Sequence, residues 1–255
     1  MSRSIFKRIL VTSAIAVLGV STSFAALVME RDEGVDTAPS VGMYRYQVPT
    51  ELQGAYNSAS VANLTAAMEK EPNTLSMNVA HVKGNPSESY VVEIYKDLAA
   101  IDAHRKSDHY QAFVNEVGSK LTNRKMYDVQ SVLLLEKKDA LSIVNDGKAV
   151  VTLTEFTVNS NDIDAVQRQY QLDIERAVRD DAGYKAGYVF RERNAKNRWY
   201  VFQVYSDQAA LTKHVNSPGY RFMMSQIQGS LQNVTTKVLD GDIFVNYGGQ
   251  AFVRP

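Results

Sequence analysis

The sequence predicts an α+β protein built from two copies of one β-α-β-β-α-β module, packed sheet to sheet. Three observations carry this. Residues 43–121 repeat at 153–231 with a constant offset of 110 and no gap. Each copy runs through strand-period and helix-period apolar patterns in the same order. Short turns join the two middle strands of each copy, as an antiparallel hairpin requires. The clearest match sets EIYKDLAAIDAHRKSDHYQAFV (Glu93 to Val114) against QVYSDQAALTKHVNSPGYRFMM (Gln203 to Met224), with Tyr95/Tyr205, Asp97/Asp207, His104/His214, Ser107/Ser217 and Tyr110/Tyr220 coincident. The period far exceeds the roughly 20–50 residues of a solenoid unit, so each copy is domain-sized.

Each module opens with an alternating segment, Met43 to Val48 and Leu153 to Val158, stopped by Pro49 and by Asn159-Ser160. A helix follows, with Val61, Leu64 and Met68 on one face, and Ile163, Val166, Tyr170, Ile174 and Ala177 in the second copy. Ser160 or Asn161 is the expected cap of the latter, with Asp162 and Asp164 in its positive first turn. Strands Leu75 to Lys83 and Ser89 to Lys96 come next, joined through Gly84-Asn85-Pro86; their counterparts are Lys185 to Arg193 and Arg198 to Tyr205. Asp97 and Asp207 then cap a short Ala-rich helix, and Ser107 and Ser217 cap another, Pro218 fitting the first helical position. That helix shows Tyr110, Phe113, Val114, Val117 and Leu121, and Tyr220, Met223, Met224, Ile227 and Leu231, at i, i+3, i+4, i+7, i+11. A last strand, Met126 to Glu136 and Val234 to Tyr247, completes a sheet with helices on one face. Its bare face needs cover, and the other copy's sheet provides it.

Residues 1–25 read as an export signal: Arg3, Lys7 and Arg8 precede the apolar run Ile9 to Val20, and Ser23 and Ala25 suit a cleavage site. Twelve residues reach only about 18 Å as a helix, short of a hydrocarbon core of about 30 Å. The expectation is cleavage after Ala25, release to the periplasm or the exterior, and no stable membrane anchor. Residues 26–42 read as a loose arm, 43–138 as the first module, 139–147 as a linker around Asn145-Asp146-Gly147, and 148–249 as the second module. The 28 basic and 28 acidic residues balance, without a basic stripe, which argues against a nucleic-acid partner. With no cysteine, disulfides and thiolate metal sites are excluded.

The stretch from Val91 to Phe113 resembles the antibiotic biosynthesis monooxygenase domains of the dimeric α+β barrel superfamily. There, a strand ending in Glu-x-Trp leads to an Ala-rich helix, a His, and a Ser/Thr-Pro-His-aromatic helix start. The resemblance spans both modules. It implies two ferredoxin-like modules forming an intrachain dimeric α+β barrel. It also implies a monooxygenase that oxidises a small aromatic, such as a quinol, with O2 and neither metal nor flavin. Tyr95 and Tyr205 replace the family tryptophan, and Gly219 replaces the second histidine, kept as His109. The haem-degrading branch uses an asparagine on the first strand and a later helical histidine. Met43, Tyr44 and Arg45, and then Phe113 and Val114, stand in those regions, so haem is not expected.

Side-chain alternation puts Ser89, Val91, Glu93 and Tyr95 on one strand face, toward the helices, and Tyr90, Val92 and Ile94 on the other. Glu93 is placed to take a proton from a phenol, or to pair with a cation at a cavity rim; Tyr95 can stack on the ring. His104 and His214 suit either a base or a helix C-terminal cap. His109, in a positive first turn, is expected to stay neutral. Glu93, Tyr95, His104 and His109 are thus the candidate catalytic set; Gln203, Tyr205 and His214 are their second-module, structural counterparts. The histidine spacings match no metal motif, and no cofactor is expected. Trp199 aligns with Ser89 and either fills or closes the second cavity. A small aromatic ligand and a homo-oligomer are the partners entertained. The alternative function is a non-catalytic ligand-binding or structural protein that has kept the fold.

Overall fold

The computed structural model describes residues 37–255. The export signal expected over 1–25 and most of the arm lie outside the described residues. The first module comprises β1 (Ser40–Gln47), α1 (Gln53–Lys70), β2 (Thr74–Val82), β3 (Asn85–Tyr95), α2 (Leu98–Lys106), α3 (Asp108–Glu116) and β4 (Thr122–Tyr127). After β5 (Val129–Glu136) and β6 (Leu141–Val144), the second comprises β7 (Val150–Val158), α4 (Ile163–Asp180), β8 (Tyr184–Glu192), β9 (Arg198–Tyr205), α5 (Gln208–Val215), α6 (Pro218–Ile227) and β10 (Leu231–Asn246); β11 (Ala251–Val253) follows. Both modules are ferredoxin-like, with local orders β4-β1-β3-β2 and β10-β7-β9-β8.

The local signals behave as polar chemistry requires. Asp97 and Asp207 accept from the backbone N–H of Ala100 and Ala210 at 2.9 and 2.8 Å. Ser107 and Ser217 do the same for Tyr110 and Tyr220 at 3.3 and 3.2 Å. Neither Ser160 nor Asn161 caps α4: a 3-10 turn over Ser160–Asp162 precedes it, and Asp162 stands at its start without a side-chain capping bond. The stripe ending at Leu121 outruns α3, whose last turn gives way to a 3-10 turn over Gly118–Lys120, although Val117 and Leu121 are still buried.

The expected closed barrel is corrected. The strands form one open path, β11-β5-β8-β9-β7-β10-β2-β3-β1-β4, with β6 added on β10. The reason lies in the last strand of module one, which breaks at Asp128. Its first part, β4, stays on β1, while its second part, β5, crosses to β8 of the other module. β11 takes the other edge of β5, so β5 has no edge left for β4 and the ladder ends at β4 and β11. In the same way β10 pairs with β7 over its first part and with β2 over its second. The two halves are therefore stitched edge to edge at two exchanged seams, β2–β10 and β8–β5.

Between the inward strand faces lies one apolar cluster drawn from both modules, including Met43, Tyr90, Val92, Ile94, Leu153, Tyr188, Phe190, Phe202 and Phe244. Burying these rings and branched chains, at about 1.5–3 kcal/mol each, is the main force joining the halves. A second cluster fills the sheet–helix layer of module two, around Phe156, Tyr170, Ile174, Trp199 and Tyr205. The matching layer of module one buries more polar groups, among them Ser60, Asn63, Ser89, Glu93 and His104, beside its own apolar residues such as Leu64 and Tyr95.

One acid is enclosed at the module boundary. Glu136 accepts from the Tyr188 hydroxyl at 2.6 Å, and that hydroxyl lies 3.1 Å from Ser76 Oγ of the other module. Burial pushes Glu136 up to about 7. Its unfolded value is about 4.3, so the folded state binds the proton more tightly. Its stabilising contribution is complete below pH about 4 and is lost as pH rises through about 7, on the order of 3 kcal/mol. Glu136→Gln is expected to flatten the fall in stability between pH 5 and pH 8, as measured by denaturant melts across that range.

Candidate functional site

Four side chains singled out in the sequence, Glu93, Tyr95, His104 and His109, gather beneath the helices of module one. Tyr95 Oη donates to Glu93 Oε2 at 3.1 Å. The His104 ring lies 5.7 Å from that of Tyr95, 5.5 Å from that of His109 and 5.0 Å from that of Tyr110, measured between centroids. Tyr90, Val92 and Ile94 face the shared core, leaving Glu93 and Tyr95 on the helix side. Glu93 is 8% exposed and His104 1%. Burial pushes the Glu93 carboxyl up, against the opposing pull of His104, the Tyr95 hydroxyl and Arg105. Burial lowers His109, partly offset by Glu71.

Glu71, which the sequence reading did not select, ties the histidines together. It caps the C-terminus of α1. Its carboxylate lies 3.1 Å from His104 Nδ1 and 3.0 Å from His109 Nε2, and accepts from Thr74 Oγ1 at 2.7 Å. His109 Nδ1 lies 2.8 Å from Asn63 Oδ1. Asp181 repeats Glu71 at the end of α4, 3.2 Å from His214 Nδ1. A carboxylate at a helix C-terminus opposes the macrodipole, so its recurrence at the 110 offset was the available signal.

The second module completes this latch differently. Gly219 stands where His109 does, and a Cβ there would collide with the guanidinium of Arg176. Arg176 bonds Asp173 at 2.6 Å and approaches Asp181 at 4.0 Å. His214 Nε2 is 3.4 Å from Asp173 Oδ2, but the two atoms do not form a hydrogen bond. Gln203, in place of Glu93, donates to Tyr184 Oη at 3.1 Å. Tyr205 and His214 pack ring to ring at 5.6 Å.

An open recess lies at the other end of α1. This recess of about 170 Å³ is lined by Tyr56, Asn57 and Ser60 of α1, His81 of β2, Ser89 of β3 and Asp242 of β10, among others. Tyr56 Oη and Ser89 Oγ are 2.9 Å apart. His81 Nδ1 lies 2.9 Å from Asp242 Oδ1, and its Nε2 is 4.0 Å from Asp240. The hydrogen bond to Asp242 raises the imidazole pKa, against burial. At the β2–β10 seam the register passes from Gly241↔Ala80 to Ile243↔Val79, leaving Asp242 as the extra residue of a bulge, the kind of irregularity that re-aims a side chain. The corresponding bulge at the β5–β8 seam holds Val132, with Gln130 opposite Arg191 where Asp240 faces His81. Trp199, the counterpart of Ser89, is fully buried and stacks on Phe156, which stacks on Tyr170. It fills the place that is open in module one.

The model of the family described as antibiotic biosynthesis monooxygenase matches residues 41–116 and again 149–225. The chain belongs to the antibiotic biosynthesis monooxygenase family. It carries that domain twice, as a tandem repeat. Similar solved structures include a candidate monooxygenase from Lactobacillus acidophilus NCFM (TM-score 0.78, 19% identity, 84% of this chain and 99% of that one). Another is a candidate monooxygenase from Fusobacterium nucleatum (0.77, 19%, 86% and 100%). A protein described as anthrone oxidase-like is more distant (0.53, 10%, 87% and 98%). At these identities the likeness is one of fold. No curated protein matches the chain. No helix among the described residues is long and apolar enough to cross a membrane.

The buried carboxylate of this monooxygenase-family chain gives a stability test. Because the folded pKa of Glu93 is raised, its contribution is present below its unfolded value of about 4.3 and lost as pH climbs through the folded value. Glu93→Gln, the residue module two already has, removes that loss. The thermal midpoint of the variant should gain on wild type progressively as pH climbs above that unfolded value, and parallel pH profiles would disprove the assignment.

Proposed function

We propose that module one is a monooxygenase for a single-ring phenol or hydroquinone, bound in the recess between α1 and the β2–β10 seam, with His81 as base. The supporting observation is the asymmetry of the repeat: module one has an open recess with an imidazole–carboxylate pair at its wall, and module two has Trp199 in that space. A cavity of about 150 Å³ accepts benzene, so about 170 Å³ suits one ring and not a fused tricycle.

Asp242 accepts the Nδ1–H of His81, which leaves the Nε2 lone pair of this recess-lining ring to act as the base. Nε2 removes the phenolic proton, and the Tyr56–Ser89 hydroxyl pair holds a second ring oxygen. The phenolate gives electrons to dioxygen directly, so no cofactor enters the reading. For a hydroquinone, one oxygen atom bonds to a ring carbon and the other leaves as water. The ring loses four electrons to O2 and becomes a hydroxyquinone. Glu93 and Tyr95 would serve as the packed floor behind the recess instead of contacting the ring. Module two would serve as scaffold and donor of Asp242. A binding-only protein would use the same recess without turnover.

Incubating purified chain with a hydroquinone panel, with and without oxygen, tests this. Oxygen-dependent hydroxyquinone formation is expected, falling about 10²–10⁴-fold in His81→Ala, the usual worth of a general base. Ser89→Trp should abolish ligand uptake, at an overpacking cost of about 1–3 kcal/mol. Since Asp242 raises the His81 pKa, Asp242→Asn should move the acid limb of kcat/KM to lower pH and depress the plateau. Ligand uptake without product would leave the binding-only protein, and turnover indifferent to His81→Ala would remove the proposed base.

A further inference from the structure

The Glu71 latch presents an unusual balance of donors and acceptors. Ser107 Oγ donates its proton to the His104 carbonyl at 2.7 Å and accepts from the Tyr110 N–H. Toward His109 it therefore offers only a lone pair, 3.2 Å from Nδ1. Asn63 Oδ1 is a second acceptor at the same nitrogen, 2.8 Å away. Nδ1 must then carry a proton, which leaves Nε2 as the remaining ligand atom of the ring. Nε2 faces the Glu71 carboxylate at 3.0 Å. An imidazole nitrogen and a carboxylate at that distance are bridged by a cation, either a second proton on the ring or a metal ion.

Module two provides an internal control. At the same place it has the carboxylate Asp181 and the imidazole His214, and a permanent cation, Arg176, occupies the position of the second ring. Module one has Ala66 at the position of Arg176, so that guanidinium has no counterpart there. Instead Glu71, His104 and His109 each offer one ligand atom, all within 4.8 Å of one another. Small side-chain rotations bring such a set to the roughly 2 Å ligand distances of a zinc-type site. The outer contacts are those of a metal site as well: the second nitrogen of His109 donates to an amide oxygen, and the Thr74 hydroxyl donates to Glu71.

We infer that Glu71, His104 and His109 bind one divalent first-row transition ion, with Zn2+ and Co2+ as suitable probes for two imidazoles and a carboxylate. The ion would clamp the end of α1 to the α2–α3 junction. Ser60, at the recess, and Glu71 are separated by roughly 16 Å along the helix axis, so the site stands apart from the proposed oxygenase chemistry and does not depend on it.

Titrating the metal-stripped full chain with Zn2+ by calorimetry, and with Co2+ by its visible absorption, tests the inference without any turnover assay. One ion per chain is expected. Glu71→Gln and His109→Ala should each weaken binding by well over tenfold. Asn63→Ala, which touches no ion, should weaken it about 10–100-fold. His214→Ala should leave it unchanged. The double change Ala66→Arg with His109→Gly transfers the arrangement of module two and should keep the thermal midpoint while abolishing uptake, which separates loss of the site from loss of the fold. A flat titration of folded wild-type chain would overturn the proposal, and would mean that a proton bridges Nε2 and Glu71, either on an imidazolium or with the Asn63 amide turned to His109. Equal uptake by wild type and Glu71→Gln would overturn it too.

Discussion

The exchange of strand edges between the modules is the constraint on which the rest depends. A four-stranded sheet with helices on one face leaves two unsatisfied edges and one apolar face, and an isolated module of this size has no means of covering all three. Here each module's last strand runs on to the first exposed edge of the other: β10 onto β2, β5 onto β8. The same step presses Tyr90, Val92 and Ile94 against Tyr188, Phe190 and Phe202. Backbone pairing and apolar burial thus favour the same arrangement, the agreement between levels that lets a sequence specify one structure. A bulge at each seam lets the long strand turn without breaking the ladder. At one seam the extra residue is Val132, absorbed into the core, and at the other it is Asp242, aimed at His81. The site at the recess therefore exists only because the second module donates a strand to the first.

Much of this was legible in the sequence and some was not, for physical reasons. The repeat, the order of elements, the Asp and Ser caps and the strand face carrying Glu93 and Tyr95 follow from local rules: periodicity, capping chemistry and alternation. The break at Asp128 and the short strands β6 and β11 do not, because they are settled by which edge is free, a tertiary matter. That is why a closed barrel was the natural expectation and an open path is what forms. The site divides similarly. His81 had no visible partner, since Asp242 is 161 residues away and reaches it through a bulge. Glu71 lies 33 residues before His104, across a hairpin. The aromatic fate of Trp199 was half visible, as its alignment with Ser89 marked a volume change without saying which copy would be left open.

Duplication lets one fold hold two different interiors. Both modules must satisfy the same backbone, yet only one needs to be filled with rings to stay stable. Module two takes that part: Phe156, Tyr170 and Trp199 form a continuous stack, and Gln203 with Tyr184 replaces a buried charge by a neutral pair. Replacing a buried carboxylate by an amide removes a desolvation cost of several kcal/mol. Module one can then retain a raised carboxyl at Glu93, buried polar groups and an open recess, which are features that cost stability and are kept where function needs them.

The helix-end latch shows the same division at the scale of single atoms. In both modules an acidic residue ends the long helix against its own dipole, and an imidazole from the next helix answers it. The pairing recurs, so it belongs to the fold. What differs is the third group: a guanidinium that carries its charge permanently in one copy, and in the other an imidazole whose Nδ1 is committed to Asn63. A permanent cation closes the latch for good, which suits a scaffold. An imidazole carries no fixed charge, so the latch of module one lacks that permanent closure, in the half of the molecule that also holds the recess.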